Sequence, residues 1–403
     1  MIKTLVSEEK FAKKTIKDVD VAGKRVLVRA DFNVPLNNGV VADDTRIHAA
    51  LPTMQYLIDR GARTILCSHL GRPKGKIVDE LRLDPVAKRL SEFLGRTVTK
   101  LDDCIGPEVE DAVERMKPGE VLLLENTRFH KEERENDPGF AAQLAKLADL
   151  YVNDAFGSVH RAHASTEGVT HYLPSVAGFL IEREVNALER VLKSPEHPFA
   201  AIFGGIKISD KISAIKQLDQ VDILLAGGGM AYTLLKAKGI EIGQSPINEE
   251  SLEIAQQVID DVGEKLVLPV DVAVADAMDA KANWKIVSID KIPSEWYIMD
   301  VGPQTVDLFQ EKLRQAKMVI WNGPLGAFEI KPFQEGTYAI ARSIAELDAV
   351  TIIGGGDLAA AVQEAGVADK MSHVSTGGGA FLDYLAGKVL PGIETLQEKC
   401  FRE

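Results

Sequence analysis

Residues 25–35 read RVLVRADFNVP. An apolar run without in-out alternation marks a strand covered on both faces. It passes directly into Asp31 and Asn33, which an extended chain places on one side, before Pro35 closes the turn. Taken alone, the polar pair reads equally well as a capped turn. The same arrangement recurs at TILC (64–67) and VLLL (121–124), followed by AAIF, ILLA, LVL, MVIW and TIIG. Between such runs, Ile47, Leu51, Met54 and Ile58 repeat at helical spacing. Asp84-Pro85 followed by Gly95 reads as a helix with proline in its first turn. Strand alternating with helix throughout predicts an α/β fold with mainly parallel sheets.

With 403 residues the chain exceeds what one hydrophobic core sustains, so two domains are expected. Its 45% hydrophobic and 27% charged content is that of an ordinary globular protein. The net charge of −13 argues against nucleic acid or an acidic membrane surface as a partner, since both need a basic footprint. Cys67, Cys104 and Cys400 have neither disulfide nor zinc spacing, so a reducing, cytoplasmic setting is expected. The N-terminus has no apolar signal region, and no run approaches a membrane span. The charged segment 181–193, IEREVNALERVLK, reads as a helix linking the two halves.

Fifteen of the eighteen arginines precede residue 201, whereas glycine clusters at Gly204-Gly205, Gly227-Gly229, Gly354-Gly356 and Gly377-Gly379 all follow it. Arginine forks suit a small phosphate or carboxylate, and glycine turns let backbone N–H groups crowd around a nucleotide's phosphates. Each cluster follows an apolar run, which places it at the strand ends where open α/β sheets bind ligands. A single cluster is equally well a tight turn or a close helix contact.

No Walker A loop occurs, and GRPKGK at 71–76 has the wrong spacing. Gly354-x-Gly356-x-x-Ala359 matches a dinucleotide fingerprint, so an NAD-dependent dehydrogenase is the main alternative. Against it, Asp357 would repel a pyrophosphate unless Mg²⁺ bridged the two, and Asp369 stands closer than the ribose-binding acid expected about 20 residues on. Asp357 could also simply cap a helix. Lys207 and Lys211, four apart beyond Gly204-Gly205, read as phosphate ligands or as a solvated surface pair.

In the first half, strand ends carry Asp31 and Asn33, then Ser68-His69-Leu70-Gly71-Arg72, then Glu125 to His130, then 152–163. Arg46, His69, Arg72, Arg128 and Arg161 are expected to line one basic pocket for a doubly anionic metabolite. Arg29, Arg60 and Arg63 are expected as surface charges. Asp154-Ala155-Phe156-Gly157 resembles a protein-kinase motif only superficially, because no H-R-D loop exists. His160 and His163 lack a third zinc ligand at suitable spacing.

Together VRADFNVP, SHLGRP, ENTRFH, VNDAFGSVHRAHAS, GGIKISDK, WNGPLGAFE, GGGD and STGGGA resemble the phosphoglycerate kinase family, in consistent order from Arg25 to Gly379. The resemblance implies two doubly wound domains joined by a helix. Residues 1–179 would form the substrate domain, with 390–403 returning to it; 180–194 would be the linking helix and 195–389 the nucleotide domain.

It further implies that 3-phosphoglycerate or 1,3-bisphosphoglycerate binds through Asp31, Asn33, Arg46, His69, Gly71, Arg72, Arg128 and Arg161. Mg²⁺ with ATP or ADP would be held by Lys211, Gly227, Gly228, Asn322, Glu329, Gly354, Gly355, Gly356 and Asp357, the last holding the metal. Arg46, Lys207, Gly356 and Gly379 would flank the phosphoryl group in transfer. A monomer acting after hinge closure is implied. Three positions depart from the pattern: Ile206, Leu358, which lacks the hydroxyl of a phosphate contact, and Phe381. Residues 1–12 extend beyond the family's usual start and receive no role. A non-catalytic two-domain binder is the remaining alternative.

Overall fold

The computed structural model describes residues 11–205, 208–209, 211–247 and 249–399. Six short strands form the first sheet: β1 (Arg25–Ala30), β2 (Arg63–Cys67), β3 (Val98–Lys100), β4 (Val121–Leu123), β5 (Leu150–Asp154) and β6 (Ser175–Ala177). Their spatial order is β3-β4-β2-β1-β5-β6, every pair parallel, with β1 at the centre between β2 and β5. Helices at Thr45–Asp59 and Asp84–Leu94 supply connections, and Gly95 ends the second in the left-handed conformation. The apolar residues of β1 and β5 are almost all inaccessible to water because neighbouring strands and helices cover both faces.

The second sheet comprises β7 (Phe199–Phe203), β8 (Ile223–Ala226), β9 (Leu266–Val267), β13 (Met318–Asn322), β14 (Val350–Gly354) and β15 (His373–Val374), in the order β9-β8-β7-β13-β14-β15, again all parallel. Trp321 and Phe309 fill its core. A separate antiparallel sheet, not anticipated from the runs, pairs β11 (Trp284–Ser288) with β10 (Asp271–Ala275) and β10 with β12 (Tyr297–Val301). Most of β11 is exposed, so it lacks the continuous apolar run by which the parallel strands are recognised.

The described residues form two compact units, one holding 187–388 and the other 11–186 together with 389–399. The division falls inside the helix Phe179–Lys193. In the arginine-bearing unit, the returning segment is pinned by Asn153 Nδ2 donating to Gly392 O at 3.0 Å and Gly392 N to Val159 O at 3.0 Å. There too, Lys14 N donates to Gln397 O at 2.7 Å.

Candidate active site

In the arginine-bearing unit, the residues beyond the carboxyl ends of β1, β2, β4 and β5 converge. Arg46, at the start of the helix Thr45–Asp59, donates from Nη1 to Asp31 Oδ2 at 3.0 Å and to Asn33 O at 3.3 Å. Asn33 Oδ1 accepts from Gly71 N at 2.8 Å, and Arg128 Nη1 donates to Gly71 O at 2.9 Å. Asn126, fully buried, braces the same loops, its Nδ2 donating to Leu70 O at 2.7 Å and to Leu81 O at 2.9 Å. Arg161 is exposed and donates to His160 Nε2 at 3.1 Å. Arg72 is exposed beside Gly71 and enters none of these bonds.

Arg29 is the correction. Expected on the surface, it is fully buried, donating to Ser165 Oγ and meeting His69 Nδ1, each at 2.9 Å. It lies on the central strand, in register with Cys67 and Asn153, so no solvent reaches it from either side. The signal was present: an arginine inside a run otherwise buried on both faces cannot reach water. Arg60 stacks over Tyr56 and Arg63 holds Gly23 O, both at the periphery.

Positive charge accumulates here. Burial, with Arg29 and Arg161 nearby, draws the Arg128 guanidinium down to about 10. Burial and the arginines Arg128, Arg29 and Arg161 push His163 down to about 3, and burial with Arg29, Arg128 and Arg46 holds His69 well below the imidazole range. Arg128 Nε and His163 Nδ1 are buried with no hydrogen-bond partner. Such a potential is what an incoming polyanion would neutralise. Elsewhere, Asp103, Cys104 and His130 lie within metal-ligand reach of one another, but burial pushes the Cys104 thiol well up and it donates to Glu125 O at 2.9 Å.

In the glycine-bearing unit a cavity of about 540 Å³ opens at the ends of β7, β8, β13 and β14. Lys211, Gly228 and Asn322 line it, as do Glu329, Gly355, Gly356 and Asp357. Two helices, Gly228–Ala237 and Gly356–Glu364, begin at its wall; in the first, Gly228 N donates to Leu325 O and Met230 N to Gly205 O, each at 2.9 Å. Gly228 at φ +55° and Gly355 at φ +102° adopt conformations that side chains disfavour. Gly355 is the cap of its helix, so Asp357 is not, and its exposed carboxylate faces the cavity from the first turn. Asp357 and Glu329 are the acids lining it. One open carboxylate at a helix start is a donor set that fits magnesium where a nucleotide's phosphates supply further oxygens.

Gly227 and Gly354, expected at the nucleotide, and Gly379, expected beside the phosphoryl group in transfer, do not line this cavity. A Cβ on Gly354 would meet the Phe381 ring at 2.3 Å and one on Gly227 would meet Leu325 at 2.3 Å, so both serve close packing behind the wall. Gly379 opens the helix Gly379–Leu385 while its neighbour Gly378 reaches the cavity. Phe381 and Leu358 are both fully buried, which places these two departures in the core. Lys207 and Ile206 lie outside the described residues.

Residues 16–388 match the family model described as phosphoglycerate kinase. The chain belongs to the phosphoglycerate kinase family. It is 56% identical over 393 residues to the phosphoglycerate kinase of Moorella thermoacetica, covering 96% of this chain and all of that one. That of Gloeothece citriformis is 58% identical over 398 residues, covering 96% and 99%. The solved phosphoglycerate kinase of Coxiella burnetii is 43% identical with a TM-score of 0.82, covering 95% of this chain and 98% of that one. The family assignment makes the chain a glycolytic phosphotransferase that moves a phosphoryl group reversibly between 1,3-bisphosphoglycerate and ADP, giving 3-phosphoglycerate and ATP. A dehydrogenase built on GGGDLA finds no support. Among the described residues, no helix is long and apolar enough to cross a membrane.

Proposed function

We propose that 3-phosphoglycerate and 1,3-bisphosphoglycerate bind the arginine cluster and that magnesium-bound ADP and ATP bind the glycine-lined cavity. The observation that carries this is the contrast in wall chemistry: Arg46 and Arg128 with the buried His69 at one, helix N-termini with Lys211 and Asp357 at the other. Asp31 and Asn33 hold Arg46 and the Gly71 loop in place, and Arg72 and Arg161 complete the substrate face from its exposed rim. Glu329 faces the nucleotide's ribose, Asn322 braces the glycine turn through Gly354 O at 2.9 Å, and Lys211 meets phosphate.

The acceptor, in the direction from 3-phosphoglycerate, is a carboxylate already ionised at neutral pH, so no general base is needed. Catalysis is then positioning and charge neutralisation. Arg46 would neutralise charge on the phosphoryl group from the substrate and Gly356 would do so from the nucleotide, while Lys207 and Gly379, to which the family resemblance gives the same task, are respectively outside the described residues and off the cavity wall. Asp357 would hold the magnesium ion, which supplies charge neutralisation at the nucleotide phosphates. Closure about the segment 180–194 would align donor and acceptor and exclude water from the acyl phosphate. The enzyme would act as a cytoplasmic monomer; its buried free thiols Cys67 and Cys104 suit a reducing compartment.

Calorimetric titration of each ligand separately tests the assignment. Arg128→Ala should lose 3-phosphoglycerate binding and keep magnesium-ADP, and Asp357→Asn should do the reverse. Loss of both ligands in either variant, or of neither, would refute the division. Compaction in solution scattering only when both ligands are present would support closure; its absence would remove it.

A further inference from the structure

Beneath the arginine cluster, buried polar groups form a continuous chain. Arg29 donates from Nε to Ser165 Oγ and from Nη1 to Ala30 O, and its Nη2 lies 2.9 Å from His69 Nδ1. Ser165 Oγ donates onward to Glu133 Oε1 at 2.6 Å, and Glu133 also accepts from Ser165 N at 2.9 Å and Thr127 Oγ1 at 3.4 Å. Arg29, Ser165, Glu133 and Thr127 are all fully buried. The guanidinium is therefore fixed through its nitrogens, and what it presents to His69 is determined.

A guanidinium carries donors only, so the imidazole nitrogen it meets must accept. The proton of a neutral His69 then sits on the other nitrogen, Nε2. We propose that Arg29 is a positioning residue of the phosphoglycerate site, locking His69 as the neutral Nε2–H tautomer so that it offers substrate a hydrogen-bond donor and no charge. This rests on the reading of His69 as a substrate ligand.

The groups facing His69 agree. Arg29 comes from β1, Arg46 from the helix Thr45–Asp59, Arg128 from the turn after β4 and His163 from the loop after β5, and each disfavours a second proton on the ring. The carboxylates close by are already engaged, Asp31 with Arg46 and Glu133 with Ser165. The cationic charge of the site is thus carried by arginines alone. Binding of substrate through His69 should not change across the physiological range.

Long-range proton–nitrogen correlation spectra of the full-length, ligand-free enzyme read the tautomer directly. The expected result is a protonated Nε2 and bare Nδ1 between about pH 6 and 8, the window in which an ordinary histidine titrates. In Arg29→Met the loss of a neighbouring cation raises the pKa of His69, so the ring should begin to titrate in that window. KM for 3-phosphoglycerate should rise about tenfold, the scale of a lost hydrogen bond to a charged group, and become pH-dependent, with KM for ATP unchanged.

A bare Nε2 in the parent enzyme overturns the proposal, and that measurement needs no variant should Arg29→Met fail to fold. So does an unaltered tautomer in Arg29→Met. Ser165→Ala, which removes the partner of Arg29 Nε together with one bond to Glu133 and leaves the Nη2 contact to His69 in place, should give the same changes in weaker form. An unlocked ring with KM for 3-phosphoglycerate unmoved would instead sink the reading of His69 as a ligand, and with it any part of Arg29 in the reaction.

Discussion

The strand ends of β1, β2, β4 and β5 and those of β7, β8, β13 and β14 occupy equivalent places in two parallel sheets, yet they are furnished in opposite ways. At the first, long cationic side chains rise from a buried network in which Arg29, Ser165 and Glu133 hold one another. At the second, glycines at strand ends and two helix starts stand beside apolar side chains such as Tyr232, Met299 and Ile330, with Lys211 and Asp357 as charged groups. The difference teaches that one architecture can set arginine charge at one group of strand ends and glycine-built turns at another. The two sites should therefore fail under different substitutions.

Arg46→Ala should break the first site most severely. A single well-placed arginine contributes about 10³-fold or more in phosphoryl transfer, so kcat in a coupled assay should fall by at least that factor with magnesium-ADP affinity unchanged. Near-normal turnover would remove Arg46 from the reaction.

Gly228→Ala is the matching test of the second site. Its Cβ would lie 2.9 Å from Gly205 N and 3.0 Å from Pro324 O, at a φ of +55°. Strain of roughly 1–3 kcal/mol should raise KM for ATP by about tenfold or more without affecting 3-phosphoglycerate binding. An equal loss of both ligands would mean the change is to the fold and not to the wall.

Asp357→Asn sharpens the metal's place in that contrast. The magnesium concentration for half-maximal rate should rise by about tenfold, corresponding to roughly 1.4 kcal/mol. An unchanged magnesium dependence would place the ion elsewhere.

The smallest effect concerns a feature the two units share. Asp154, which accepts from Leu180 N at 2.8 Å, and Asp300, which accepts from Gly336 N at 2.8 Å, are both pushed up to about 7 by burial. A folded-state value above the unfolded value of about 3.9 means that the folded form holds the proton more tightly. Stability is then greatest below about pH 4 for this contribution and declines as pH rises to 7. Asp154→Asn should consequently gain thermal stability relative to the parent at pH 8 but not at pH 4, by on the order of 1 kcal/mol. A difference independent of pH would show that Asp154 is ionised in the folded protein.

The strands were legible because parallel strands covered on both faces need runs of apolar residues, as 26–28 of β1, β7 and 318–321 of β13 provide. β11 was not, because its side chains are mostly exposed and no run marks it. Arg128 could be picked out from its position just past a strand end, whereas Arg46 opens a helix well beyond β1 and no strand end marks it. Arg29 departs from a charged residue's default of solvent because the run around it is buried on both faces and it lies between β2 and β5. Glycines could be seen but not sorted: Gly354 and Gly228 look alike until Phe381 is found against one and the cavity against the other.

Residue order alone determined the α/β class, the segregation of arginine from glycine and the family, since each rests on local pattern and motif. Tertiary structure decided which polar groups are buried, which glycines face a ligand, and that Arg29 meets His69 across 40 positions of sequence. The physical reason is that periodicity reports a residue's own preference for water. Desolvation, close packing and hydrogen-bond partnership depend on what distant segments bring to the same place.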